Sequence, residues 1–447
     1  MANKLVSPLP LVSGSGRITV PVSDKSPLFY GLGVLGFNLI LEAFGGYAYF
    51  FYIEILGLAM TMAAVVRMAY AIWDSINDPI FGFLSDNTRS LWGRRHVWLV
   101  PTTLLSGIVF ILVFSVPEFI QGKTHLFWYM LVTLLLFETL STILIVNYVA
   151  LFPEYFQGLK KRSTASVYNQ AGKNIAVLIG LALTPIVYRA IGFTWMAVTY
   201  SLLSIVLLVL SLVVNREDPQ MQVVKKVEFL PAFKNVLKDL SFWKYGITIA
   251  LILFGVNMVP FALPFYVKYA LNAGPNLTAT LSGMALVTSL VVLPIWGRLI
   301  RKWEMKKTFY AVVLIMAFGA ILLGFSPNKN IAMAGIVIYG VAWGGIWVCN
   351  HIIRADLISQ NQAHSEKHTE ALYYSLLNVI LRIGGLLQSL AMVLATVFFG
   401  YVSGENPGSQ PGMAFRFLMG FIPLVGLVVA LFFARFFFKD YPALQSA

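Results

Sequence analysis

The chain of 447 residues is 58% hydrophobic and 11% charged, against about a quarter charged in ordinary soluble domains, which excludes a conventional soluble globular protein. Its formal charge of +13 lies in short loops between apolar runs and not on one folded face, which argues against nucleic acid and for topology signals and lipid-headgroup contacts. With Cys349 as the one cysteine, an internal disulfide and a thiolate metal cluster are excluded.

Residues 1–27 hold Lys4, Arg17 and Lys25 among Gly and Pro, with no apolar core long enough for a cleaved signal peptide, and are expected to form a cytosolic tail. A spanning helix needs about 20 mostly apolar residues. That template fits twelve times, near 28–57, 59–84, 97–118, 125–152, 167–191, 193–214, 242–271, 277–300, 308–326, 330–353, 371–401 and 413–438. The polar stretch 215–241, carrying Arg216, Glu217, Asp218, Lys225, Lys226, Lys234 and Lys238, divides the spans six and six. The pattern predicts an all-α membrane protein: an N-terminal six-helix bundle over 28–214, a cytosolic linker, a C-terminal six-helix bundle over 242–438, and a tail over 439–447.

Basic residues follow the even-numbered spans: Arg89, Arg94 and Arg95 after span 2, Lys160, Lys161 and Arg162 after span 4, and Arg298, Arg301, Lys302, Lys306 and Lys307 after span 8. By the positive-inside rule these loops and both termini are expected to be cytosolic. Gly82-Phe83-Leu84-Ser85-Asp86 at the end of span 2 is echoed by Gly297-Arg298-Leu299 at the end of span 8, as in transporters built from internal repeats.

Span 2 carries one charged stripe. Asp78 lies one turn from Asp74 on the same face, and Arg67 lies seven residues from Asp74 and nearly on it. Counted at about 1.5 Å per residue from the cytosolic ends of their spans, Asn38, Asp74 and Arg382 all fall near the bilayer midplane. Charges there are costly unless they face protein, water or an ion. Two readings stand: the charges only pair to hold helices together, or the carboxylates form a hard-oxygen site for Na⁺ or accept H⁺, with Arg382 answering their charge in the ion's place.

Glu42, one turn from Asn38, is expected near Arg67, in a structural or a substrate-facing pair. Glu54, at the far end of span 1, is expected to reach water. Glu138 and Lys173 are further candidates whose facing the sequence leaves open. The run Tyr47, Tyr49, Phe50, Phe51 and Tyr52 reads as lipid belt and packing. Trp343 and Trp347 above Asn350 and His351 line a cavity or pack in the core, the second reading being the ordinary one. No zincin helix, nucleophile elbow, P-loop or dinucleotide turn occurs. An intramembrane hydrolase using the Asp pair, a receptor and a structural membrane protein are the competing classes.

Four regions carry a family resemblance. They are Asp74-Ser75-Ile76-Asn77-Asp78-Pro79 through Trp92-Gly93-Arg94-Arg95, Tyr30-Gly31-Leu32-Gly33 leading to Glu54-Ile55-Leu56-Gly57, Tyr148-Val149-Ala150-Leu151-Phe152-Pro153-Glu154, and Arg354-Ala355-Asp356 with Arg382-Ile383-Gly384-Gly385. The chain thereby resembles the glycoside-pentoside-hexuronide:cation symporters, the melibiose permease group of the major facilitator superfamily, to which animal sodium-lysolipid symporters are related. The resemblance implies a monomeric carrier in a bacterial inner membrane that takes a small-molecule substrate, with no cofactor beyond a coupling Na⁺ or H⁺. It implies a cation site at Asp74 and Asp78, with Asn77 and Thr142 beside them. The family's helix-11 lysine is Arg382 here, and the helix-1 and helix-4 acids that hold sugar hydroxyls in galactoside carriers correspond to Asn38 and Ile145. A symporter is therefore implied more firmly than a galactoside, and a less polar cargo such as a lysolipid is the alternative. Asn38, Glu42, Arg67, Arg382 and Trp343 are the expected substrate and coupling residues. Gly82, Asp86, Arg89, Arg94 and Arg95 are expected to form a cytosolic latch, Gly82 by permitting close helix approach and Asp86 by pairing with the arginines.

Overall fold

The computed structural model describes residues 26–88, 90, 93–156, 159–215, 240–364, 377–404 and 406–439. The expected tails and linker fall almost wholly outside these residues. Among the described residues there are twelve helices long enough to cross a bilayer. The first half contains α1 (Ser26–Phe50, prolonged by a π-helical turn, Phe51–Ile55), α2 (Met60–Asn87), α3 (His96–Phe114), α4 (Lys123–Tyr155), α5 (residues 159–191) and α6 (residues 193–214). The second half contains α7 (Leu240–Tyr269), α8 (Pro275–Trp303), α9 (Met305–Gly324), α10 (Lys329–His364), α11 (Leu377–Phe399) and α12 (Pro411–Lys439).

Two of these helices do not stand out by length and hydropathy. Ten apolar stretches do, one of them the 51 residues Thr164–Val214. Gly192, at φ 81° and ψ 164°, breaks this stretch into α5 and α6, a backbone conformation open to glycine because it lacks Cβ. The other hidden helix is α2, 28 residues and about 42 Å long, whose Arg67, Asp74 and Asp78 lower its hydropathy.

Within the first bundle α1 packs on α5 and α6, α2 on α4, and α3 on α4 and α6. Within the second, α7 packs on α12 and α11, and α10 on α8 and α9. The bundles meet along α2 with α11, α1 with α7, and α5 with α8. Small residues set the closest approach. A Cβ on Gly172 of α5 would lie 2.2 Å from the carbonyl oxygen of Gly31 on α1, so these backbones touch where neither residue has a side chain.

The outward faces are apolar. Leu104, Leu105, Ile108 and Leu112 of α3, Leu202, Val206, Val209 and Val213 of α6, and Val428, Phe432 and Phe436 of α12 are exposed. Such surfaces demand a lipid environment, and helices satisfy their own backbone groups within it. The aromatic run of α1 is packing and not lipid belt: Tyr47, Tyr49, Phe50, Phe51 and Tyr52 are all buried, and Tyr47 Oη donates to the Leu181 carbonyl of α5 at 2.6 Å.

Candidate cation and substrate site

The charged stripe of α2 faces α11, and there it meets Arg382. The guanidinium donates to the Asp74 carboxylate and carbonyl oxygen and to the Asp78 carboxylate, forming ion pairs with both. Asp74 and Asp78 are one helical turn apart, so one planar fork spans them. The three side chains are 18% to 32% exposed, placing the cluster on an accessible wall between the bundles. Arg382 sits at an irregular turn of α11, its amide shared between the carbonyls of Asn378 and Val379 at 3.2 Å each.

Behind the acidic pair, α4 supplies a polar wall. Asn77 is fully buried, and the Thr142 hydroxyl lies 3.2 Å from both Asn77 Oδ1 and Glu138 Oε1, able to donate to either. Glu138 is buried and accepts from Tyr70 Oη. Trp73 Nε1 donates to Thr139 Oγ1 at 2.9 Å, fixing α2 on α4 one turn further along. The buried Asn77 Nδ2 has no hydrogen-bond partner. The structure thus brings Asp74, Asp78, Asn77, Thr142 and Arg382 together and adds Glu138, whose facing the sequence left open. Among the described residues no three acidic, His or Cys side chains form a group fit to hold a metal ion. The donors here are two carboxylates held apart by a guanidinium, with an amide and a hydroxyl behind.

Other expected members lie elsewhere. Asn38 Nδ2 donates to the Val34 carbonyl of its own helix at 2.8 Å and does not join the cluster. Glu42 does not pair with Arg67; the charge acting on it is that of Lys173 on α5. Arg67 instead crosses to α11, where Nη2 donates to Gln388 Oε1, and its guanidinium lies 5.3 Å from the Tyr49 ring and 5.8 Å from the Tyr70 ring. Trp343 is half-buried with its Nε1 unpartnered. Trp347 is 38% exposed, with Lys173 Nζ 6.0 Å from its ring and His351 beside it, so it faces the space between the bundles and is not core.

At the face where α2 ends, Arg94 and Arg95 both reach Glu154 Oε1 of α4, at 2.8 and 3.5 Å. Arg89 and the side chain of Asp86 lie outside the described residues. A Cβ on Gly82 would meet no atom nearer than 3.9 Å, so Gly82 marks no close helix contact in this conformation. Glu54 is the largest departure: the sequence suggested that it reaches water, yet it is buried and bonded to Lys268, Tyr269 and Tyr401 of the other bundle. Those partners lie 214 to 347 residues away, and no local pattern announces them.

Two six-helix bundles with outward apolar faces and a cluster of charge between them define a multi-pass membrane transporter of the major facilitator type. The family described as MFS/sugar transport protein matches residues 29–441, and the chain belongs to it. It is 23% identical over 433 residues, 94% of this chain and 92% of the relative, to the uncharacterised symporter YnaJ of Bacillus subtilis. It is 23% identical over 398 residues, 86% of this chain and 85% of the relative, to the putative glycoside/cation symporter YagG of Escherichia coli. Two further relatives match over part of their length. The uncharacterised symporter sll1374 of Synechocystis is 31% identical over 148 residues, 32% of this chain and 27% of the relative. The sodium-dependent lysophosphatidylcholine symporter 1-B of Danio rerio is 29% identical over 163 residues, 36% of this chain and 31% of the relative. The fold matches the nucleoside transporter NupG with a TM-score of 0.66 at 10% identity, covering 95% of this chain and all of that one.

Proposed function

We propose that the chain is a cation-coupled symporter for a small polar organic solute, a sugar or glycoside, working by alternating access. The observation that carries this reading is Arg382, from the second bundle, seated between Asp74 and Asp78 of the first. A guanidinium there stands in for the ion: two carboxylates on one helical turn need positive charge. When Na⁺ or H⁺ takes up that role, Asp74 and Asp78 no longer need Arg382, and the bond between the bundles is released. Asn77 and Thr142 add neutral oxygens of the kind a hard cation takes. Because cation and solute favour the same conformer, each raises the affinity for the other by the same factor. Trp347, Lys173 and His351 offer an aromatic face and polar groups to a solute in the space beside the cluster. We place the protein in a bacterial inner membrane with both termini cytosolic, on the loop charges and the bacterial relatives.

A lysolipid cargo is the second reading. It is favoured by Ile145, which packs with the apolar cluster around Tyr148 at the helix-4 position where galactoside carriers hold an acid, and by the partial likeness to the lysophosphatidylcholine symporter.

The test uses purified protein in detergent and in vesicles. A ligand that binds only the folded state raises its melting temperature. A Na⁺-dependent rise with a sugar or glycoside supports the first reading, and a rise with lysolipid alone the second. In vesicles Asp74→Asn is expected to reduce cation-driven uptake to background while the protein still reaches the membrane. Unchanged cation-driven uptake in that variant refutes the coupling site.

A further inference from the structure

On the face opposite the one where α1 begins, a single carboxylate joins the two bundles. Glu54 lies in the π-helical turn that ends α1, a widened turn of the kind found at functional positions. Its side chain is 1% exposed. Tyr269 Oη lies 2.7 Å from each of its oxygens, Tyr401 Oη donates to Oε2 at 3.2 Å, and Lys268 Nζ pairs with Oε1. Every one of these donors comes from the second bundle: Lys268 and Tyr269 end α7, and Tyr401 follows α11 directly after Gly400, whose φ of 61° turns the chain. The two tyrosines are themselves fixed. Their rings lie 5.8 Å apart edge to face, and both pack on Phe415, at 5.4 and 4.9 Å.

A carboxylate stripped of water is tolerable only while such donors hold it. Moving α1 away from α7 and α11 therefore breaks all of its bonds in one step and must rehydrate Glu54. We infer that Glu54 is the closing pin of the gate on this face, and that its release from Lys268, Tyr269 and Tyr401 admits solvent to the space between the bundles from that side. The inference rests on the alternating-access reading. It adds a second inter-bundle contact, set by residues other than those of the acidic cluster. The device has no acceptor to spare: one carboxylate receives all the donors, so charge loss at Glu54 outweighs loss of any single donor.

Distances between spin labels test it in reconstituted protein with Cys349→Ala, the one native cysteine being buried. One label pair replaces Phe119 and Phe325, each 79% exposed, in the α3–α4 and α9–α10 connections on the gated face. A second pair replaces Lys161 and Lys307, exposed on the other face. Glu54→Gln is expected to raise the ratio of long to short distances at least tenfold for the first pair and to shorten the second. Lys268→Met and Tyr401→Phe are expected to shift both pairs the same way to a smaller extent, and they carry the test if Glu54→Gln does not fold. Distance distributions like those of the parent in folded variants overturn the gate. Broadening of both pairs without opposed movement also overturns it, since loosened packing alone gives that result. Absence of cation-driven uptake by the parent would instead count against the symport reading and leave the label distances to judge the gate.

Discussion

Arg382 answers two carboxylates on another helix, and its removal leaves like charges one turn apart. Those carboxylates must then hold a cation or share a proton. Arg382→Gln is accordingly expected to bind the coupling cation about tenfold more tightly, worth about 1.4 kcal/mol. Net uptake should fall to background while solute exchange across the membrane persists, because the unloaded carrier no longer has a charge to satisfy its acids on the return. Radiotracer exchange measured beside net uptake checks this, and equal loss of both would show that Arg382 serves only to hold the fold. This meeting of Asp74, Asp78 and Arg382 was legible in the sequence, since a constant rise per residue converts position along a span into depth. Glu138 was half legible: it stands one turn from Thr142 and so shares its face, but nothing local says that this face looks at α2. Arg67 was misplaced because Gln388, its partner, is 321 residues away and depth alone favoured Glu42.

Helix existence was legible because every backbone group in a bilayer must be satisfied within its own segment. Which helices touch was not, since lipid-facing and helix-facing sides are both apolar. The small residues carry that information and become readable once the fold is known. Gly172 and Gly82 make a useful contrast, as one touches a backbone and the other leaves room for a methyl group, 3.9 Å from Val146. Gly172→Ala is expected to destabilise by about 1–3 kcal/mol through overpacking of α1 against α5. Gly82→Ala is expected to leave the melting temperature unchanged in this conformation. Thermal unfolding of the two variants in the same detergent checks the pair, and equal behaviour would refute the assigned contact. The π-turn at Phe51–Ile55 belongs to this scale too, for periodicity read at 3.6 residues per turn misplaces residues within and beyond such a turn, Glu54 among them.

At the scale of the whole molecule, the bundles are joined by a few polar contacts set in apolar seams: Arg382 with Asp74 and Asp78, Arg67 with Gln388, and Glu54 with Lys268, Tyr269 and Tyr401. One apolar core runs through both halves, from Leu39, Phe110 and Phe137 to Phe265, Trp296 and Phe415, so the seams that hold the halves side by side are packed as well. Two separately expressed pieces, cut between Asn215 and Leu240, are therefore expected to co-purify and to retain cation-driven uptake at a reduced rate. Recovery of neither piece with the other would show that the covalent connection itself is required. Twelve helices were legible as apolar runs, whereas the seams were not, because each is made by residues hundreds of positions apart.

Helix α2 also has a history that the finished molecule conceals. During synthesis Asp74 and Asp78 enter the membrane long before Arg382, which lies 308 residues beyond Asp74, has left the ribosome. Each acid near the centre of a helix opposes insertion by about 2.5–3.5 kcal/mol. The nascent first half must therefore shelter them against α4, whose Thr142 and Glu138 line that wall, or carry them protonated until the last helices arrive. The interval between those two events is when a newborn chain is most exposed to quality-control proteases, so substitutions at Arg382 should lower the yield of protein as well as its activity.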